Sequence, residues 1–294
     1  NERGCYSYIG MLRGTQQLSL QNGGCDTLST ATHELEHALG VYHEQSRADR
    51  ASYVTVDFSN IAKNHSHNFL PHTTSNSYGL PYDFGSNMHY TSDSFAINRN
   101  IPTLIATRAY TDYQNSMRGH MPSFLDVLKV NRHYKCDRKC ANKANPCKNG
   151  GYLDVKTCSK CVCPEGLGGA DCTGNPNGCS VEWSASPSFT KKIIEMGKYG
   201  SPARLNYENC AYIIKAPVGR KIEVVVDGVW TYGASQGCNK GGIEIKTETN
   251  LQRRGFRFCV SPTMKKSYTS ESNRLPILVW YNEGSVRADI QFKY

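Results

Sequence analysis

Six cysteines, Cys140, Cys147, Cys158, Cys161, Cys163 and Cys172, crowd into residues 137–173, a stretch otherwise rich in Gly, Asn and Pro and almost empty of core-forming side chains. Such a stretch buries too little apolar surface to hold a shape and must be cross-linked. The whole chain has 13 cysteines in 294 residues, a load that fits a disulfide framework formed in an oxidising compartment. Secretion, or a place on the cell surface, is therefore the expected address. The sequon at Asn64 is a candidate glycosylation acceptor compatible with it.

The flanks read differently. Residues 1–136 carry only Cys5, Cys25 and Cys136 but all of the histidines, so the chemistry is expected there. Beyond a linker at 173–178, short runs such as Ile222 to Val226, Ile243 to Ile245, Ile277 to Trp280 and Val286 to Phe292 are bounded by turn residues, the pattern of a β-sandwich. With 38% hydrophobic residues there is enough material for cores, and no apolar run reaches the roughly 18–20 residues of a membrane span. The net charge of +9 is spread in ones and twos with no nucleic-acid motif, so no nucleic-acid partner is expected. A chain that starts at Asn1 without Met reads as a processed or truncated product.

The most informative segment is His33-Glu34-Leu35-Glu36-His37-Ala38-Leu39-Gly40-Val41-Tyr42-His43-Glu44. Leu28, Ala31, Leu35, Ala38 and Leu39 recur at helical spacing, and Asp26, Thr27 or Ser29 can cap the start, which predicts a helix over 28–39 with its apolar stripe opposite the histidines. His33 and His37 lie one turn apart and can bind one ion. Gly40 can adopt the left-handed backbone that stops the helix, letting His43 return as a third ligand. Three imidazoles leave one position open, the arrangement of a catalytic zinc site. Glu34 is placed to accept a proton from water without binding the metal. His65, His67 and His72 lie in a polar stretch that reads as a solvated loop.

These residues resemble the metzincin metalloproteases, and the extension from His43 to Arg50 narrows the resemblance to the astacin family. Ser86-Asn87-Met88-His89-Tyr90 resembles that family's Met-turn, which implies Met88 as a hydrophobic support beneath the ligands and Tyr90 as a hydroxyl near the metal; on the sequence alone both could be core residues. Ser123 followed by Asp126 is a capping-box-like start for a helix over 123–133. The cysteine-rich stretch resembles an EGF-like module and the strand-rich remainder a CUB domain. The fold implied is α+β: a metzincin-type catalytic domain over 1–136 that lacks its N-terminal part, an EGF-like module over 137–173 and a CUB-like β-sandwich over 179–294.

The resemblance also carries a disulfide scheme. It pairs Cys5 with Cys25, Cys140 with Cys158, Cys147 with Cys161 and Cys163 with Cys172, and makes two pairs of Cys179, Cys210, Cys238 and Cys259. Cys136 is left to an upstream partner or, alternatively, to a free thiol or an intermolecular bridge. The family's basic contact for an acidic residue after the scissile bond would be Arg118, His120 or neither. Glu44 and Asp49 could support the ligands or form surface salt bridges. Glu182, Asp227 and Asp289 do not make a convincing calcium site and read as solvated carboxylates. The function implied is a secreted endopeptidase with one zinc ion per chain, acting on extracellular proteins or peptides laid along an edge strand near Gln17 to Leu20, with a protein partner for the CUB-like domain. The alternative is an impaired fragment that acts only as a binding protein through its EGF-like and CUB-like modules.

Overall fold

A short antiparallel pair, β1 (Tyr6–Ser7) and β2 (Leu18–Ser19), precedes the histidine helix, and the Cys5–Cys25 disulfide closes it. Helix α1 (Leu28–Ala38) starts where the Thr27 hydroxyl accepts a hydrogen bond from the Thr30 amide, so Thr27 is the cap among the three candidates. Downstream, β3 (Val54–Val56) pairs antiparallel with β4 (Leu104–Ala106). Helix α2 (Phe124–His133) opens on a full capping box made by Ser123 and Asp126. These elements come from a computed structural model that describes residues 3–294 and divides into two units, one ending at Cys136 and one spanning Asp137–Tyr294.

The first unit packs Phe69, Tyr82, Phe84, Met88, Leu104 and Met117 out of contact with solvent. Helix α1 turns toward this interior with the face opposite to the one its apolar stripe suggests. Ser29, His33, Glu34, Glu36 and His37 are buried, whereas Leu35 is 53% and Leu39 40% exposed. The reason is that the polar residues find specific partners inside, as described below, and a satisfied polar group is buried at little cost. A second difference lies at 63–69, where a 3-10 helix, Lys63–Phe69, replaces the expected loop and drives Phe69 into the core.

In the second unit, the disulfides Cys140–Cys158, Cys147–Cys161 and Cys163–Cys172 hold a small module around the hairpin β5 (Tyr152–Leu153) and β6 (Cys161–Val162). The remainder is a sandwich. One sheet runs β13 (Lys266–Thr269), β10 (Glu223–Thr231), β15 (Ser285–Lys293), β8 (Thr190–Gly197). The other runs β12 (Phe256–Phe258), β11 (Gly241–Ile245), β14 (Arg274–Tyr281), β9 (Glu208–Lys215), β7 (Ser180–Ser184), antiparallel except for the parallel β7 and β9. In β15, Val286, Ala288, Ile290 and Phe292 point into the core and alternate with half-buried polar residues. Strand β14 is buried on both faces: Leu275, Ile277 and Val279 fill the sandwich, while Trp280 packs with the Cys238–Cys259 disulfide. The Cys179–Cys210 disulfide completes the framework, and Cys136 makes no disulfide among the described residues.

The cysteine-rich module packs against the five-stranded sheet within this unit. Leu167 and Cys172 meet Leu251, Arg254 pairs with Glu165 at 3.0 Å, and Arg274 donates to the Gly174 carbonyl and the Asn175 side chain at 2.9 Å each.

Candidate metal centre

The helix that carries His33 and His37 ends at Ala38 with Leu39 as its cap, and the turn that follows fixes the third histidine. Gly40 has φ of 90°, and its amide donates to the His37 carbonyl at 2.8 Å. The Val41 amide then donates to the Glu36 carbonyl at 3.0 Å, and the chain doubles back. The result brings three imidazoles together: the Nε2 atoms of His37 and His43 are 3.2 Å apart, and those of His43 and His33 are 3.3 Å apart. Among the described residues this is the one group of three or more His, Cys, Asp or Glu side chains whose ligand atoms converge.

Nε2 of His43 carries at most one proton, so hydrogen bonding can serve only one of these two contacts well. Nδ1 of His33 donates to the Asn87 carbonyl and Nδ1 of His37 to the Val41 carbonyl, both at 2.8 Å. With Nδ1 protonated, a neutral ring turns an Nε2 lone pair toward the common point. Two lone pairs and a third imidazole nitrogen converge on one point, and this donor set fits a zinc ion held by three nitrogens. Burial, reinforced by the charge of His37, lowers the His33 pKa to about 3, and burial also lowers His37 and His43, which keeps all three in the neutral form that binds metal.

A second loop braces the cluster from below. Asp126 at the start of α2 accepts from the Ser86 hydroxyl at 2.6 Å, the Asn87 amide at 3.0 Å and the Ser123 amide at 2.9 Å, so one carboxylate both caps the helix and pins the 86–88 turn. Asn87 donates to the Ser29 carbonyl and accepts from the Ser29 hydroxyl, both at 3.1 Å, tying this turn to α1. Burial, with Asp126 nearby, pushes the Glu36 carboxyl well above the usual carboxylate range, and it accepts from Asn87 at the edge of this network. Met88 is fully buried, and its carbonyl accepts from the Glu44 amide at 2.9 Å. The Tyr90 ring lies 4.5 Å from the His43 ring, and the Tyr90 amide donates to Gln45 at 3.0 Å.

Residues 1–135 match the family model Astacin, a peptidase family. The zinc metalloproteinases nas-31 and nas-23 of Caenorhabditis elegans are each 36% identical to the chain, over 99% and 100% of its length and 47% and 54% of their own. Residues 1–135 are an astacin-family domain. The chain spans about half the length of the curated relatives it matches. Among solved structures, high choriolytic enzyme 1, a hatching enzyme zinc-protease from Oryzias latipes, is 37% identical over 46% of this chain and 66% of that one, with a TM-score of 0.43.

In this astacin domain Glu34 is buried beside the cluster, where burial raises its pKa and the charge of Arg118 opposes the rise. Burial also raises the Tyr90 hydroxyl to about 12, again against Arg118. Arg118 is thus the cation that faces the site electrostatically, while His120 is buried. Arg118 has φ of 76°, unusual for a side-chain-bearing residue, and its amide donates to the Phe84 carbonyl at 3.0 Å. Next to it, a Cβ on Gly119 would lie 2.4 Å from the Gly85 carbonyl oxygen, so only glycine lets this segment press against the 84–87 loop.

The remaining candidates do not gather. His72 packs at a tilt against Tyr42 and His65 against Phe95, with no shared ligand point among the described residues. Glu182 pairs with Lys215, Asp227 with Lys265 and Asp289 with Arg287, so these carboxylates are neutralised by basic side chains. Asn64 is exposed in the 3-10 helix. Asp49 is half-exposed and pairs with Arg47 at 2.7 Å, whereas Glu44 is 1% exposed and meets Lys129, Arg47 and the Asp83 amide. Sequence reading had no access to Asn87, Lys129 or the second role of Asp126, because their partners lie 39 to 85 residues away in the chain.

Proposed function

We propose that the chain is a secreted zinc-dependent endopeptidase in which His33, His37 and His43 hold one zinc ion and Glu34 is the general base. The observation that carries this reading is the convergence of three Nε2 atoms beside a buried carboxyl one residue past the first ligand. Zinc bound there would supply Lewis acidity that activates water and polarises a peptide carbonyl at neutral pH. Glu34 takes the proton of the attacking water and delivers it to the leaving amine. Tyr90, kept protonated by burial, donates a hydrogen bond to the oxyanion as charge develops on the substrate oxygen. Met88 serves as the apolar support beneath the ligands.

An extended peptide would lie along β2 near Gln17 to Leu20, with Arg118 favouring an acidic side chain just past the scissile bond. The six disulfides support an extracellular address, and no helix of the described residues is long and apolar enough to cross a membrane. Asn64 is the proposed glycan acceptor. Limits of 1–136, 137–173 and 179–294 are the proposed catalytic, EGF-like and CUB-like domains, the last offering a protein-binding surface.

The test is zinc analysis of the purified chain together with Glu34→Ala. That variant should keep stoichiometric zinc while cleavage of a peptide substrate falls by about 10²-fold or more. Cleavage at the wild-type rate would refute the assignment of Glu34. The second reading is a catalytically impaired chain that binds partners through its EGF-like and CUB-like modules, and a wild-type chain that takes up no zinc would select it.

A further inference from the structure

We infer that Lys129, a buried cation on helix α2, is a positioning residue for His43 and acts through Glu44. The inference rests on the reading of His33, His37 and His43 as zinc ligands. Those ligands are not held alike. His33 and His37 each have Nδ1 bonded to a backbone carbonyl, which sets both tautomer and ring orientation. Among the described residues His43 has no such bond on Nδ1, and its ring is held by contact with Tyr90 and by the path of its own backbone. Its placement therefore depends on what anchors the next residue.

Glu44 is that anchor, and it is saturated with partners. Its amide donates to the Met88 carbonyl at 2.9 Å. One carboxylate oxygen accepts from Arg47 at 2.9 Å and the Asp83 amide at 3.0 Å; the other meets the Lys129 ammonium at 2.5 Å. Glu44 is 1% and Lys129 8% exposed, and 85 residues separate them in the chain. A carboxylate and an ammonium removed from water tolerate burial only when paired, so each holds the other at one point in space.

Lys129 lies three residues after Asp126, on the same side of α2. Asp126 fixes the turn whose Asn87 carbonyl orients His33, so this helix face grips the first ligand through Asp126 and the third through Lys129. Beside the ion pair lies a cavity of about 140 Å³ lined by His43, Arg47, Tyr78, Lys129 and His133. Once the tether is cut, the 43–44 segment has room to shift, and a displaced third imidazole would no longer meet the other two.

The experiment uses the full chain and reads zinc affinity by competition with a chromophoric chelator, together with the visible spectrum of the cobalt-substituted protein. Lys129→Met should bind zinc about 10–100-fold more weakly, the range expected when support behind a ligand is removed, and its cobalt spectrum should lose the intensity of a four-coordinate site. Lys129→Arg, which keeps the charge, should restore both. An ion pair that only stabilised the fold would lower the melting temperature and leave the affinity and spectrum of the folded protein unchanged, and that result in Lys129→Met overturns the inference. If Lys129→Met does not fold, Glu44→Gln takes its place, because its amide keeps the shape and weakens the tether; wild-type zinc affinity in that variant is equally fatal. A wild-type chain that binds no zinc takes down the metal reading itself, whereas wild-type binding with an unaffected variant removes only the role of Lys129.

Discussion

Burial acts on Tyr90 and Glu34 in the same direction and suits them to opposite tasks. Raised to about 12, the Tyr90 hydroxyl keeps its proton throughout the neutral range and can only donate. Glu34 is also raised, which strengthens it as a proton acceptor in its ionised form. Tyr90→Phe removes the donor and keeps the ring packed on His43 and Phe69. Its kcat should therefore fall by about 10²-fold with zinc content unchanged, the usual cost of losing one oxyanion donor. Steady-state kinetics and metal analysis on the same preparation check this, and an unaltered kcat would remove Tyr90 from the reaction. The pattern of residues 33–43 was legible in the sequence because its partners are close neighbours along one helix and one turn. Asn87 was not, since its value lies in a carbonyl and a side chain aimed at α1 from 51 to 58 residues away.

The two helices show how far periodicity reaches. Spacing located α1 within one residue at its C-terminal end, and the Ser123 and Asp126 pair marked the start of α2. Which face of α1 turns inward did not follow from hydrophobicity, because Ser29, Glu36 and His33 are drawn inside by Asn87 while Leu35 and Leu39 remain exposed. The turn after α1 is more demanding than the helix itself. At φ of 90° any side chain is strained, and a Cβ at Gly40 would approach His133 Nε2 to 3.2 Å. Gly40→Ala should accordingly cost about 1–3 kcal/mol of stability and lower zinc occupancy, since the same turn delivers His43. Thermal unfolding with metal analysis tests both, and a variant with wild-type stability and zinc would show that the turn tolerates a side chain.

For the molecule as a whole, the ion pair at Glu244 makes a pH prediction that tryptophan fluorescence can isolate, because Trp183, Trp230 and Trp280 all lie in the second unit. Burial alone would raise the Glu244 carboxyl, but Arg257 at 2.9 Å, with Arg254 and Lys246, overcomes it and holds the pKa at about 2, below the ordinary 4.5. A depressed carboxylate contributes stability that is fully present above 4.5 and is lost as pH falls toward 2. Urea unfolding followed by that fluorescence should show stability declining across this interval. In Glu244→Gln the decline should be shallower and the stability at pH 7 lower; an unchanged pH dependence would assign the effect to other carboxylates. The strand-rich second half, the histidine helix and the turn after it could all be read from the chain alone, because alternation, helical spacing and a glycine-terminated turn are short-range patterns governed by backbone sterics and local packing. The inward face of α1, the double duty of Asp126, the burial of Glu44 against Lys129 and the dispersal of Glu182, Asp227 and Asp289 into separate ion pairs arose only on folding. Each depends on charges and hydrogen-bond partners that the chain brings together in three dimensions, and no one-dimensional pattern records which of many carboxylates will meet which cation once water has been excluded.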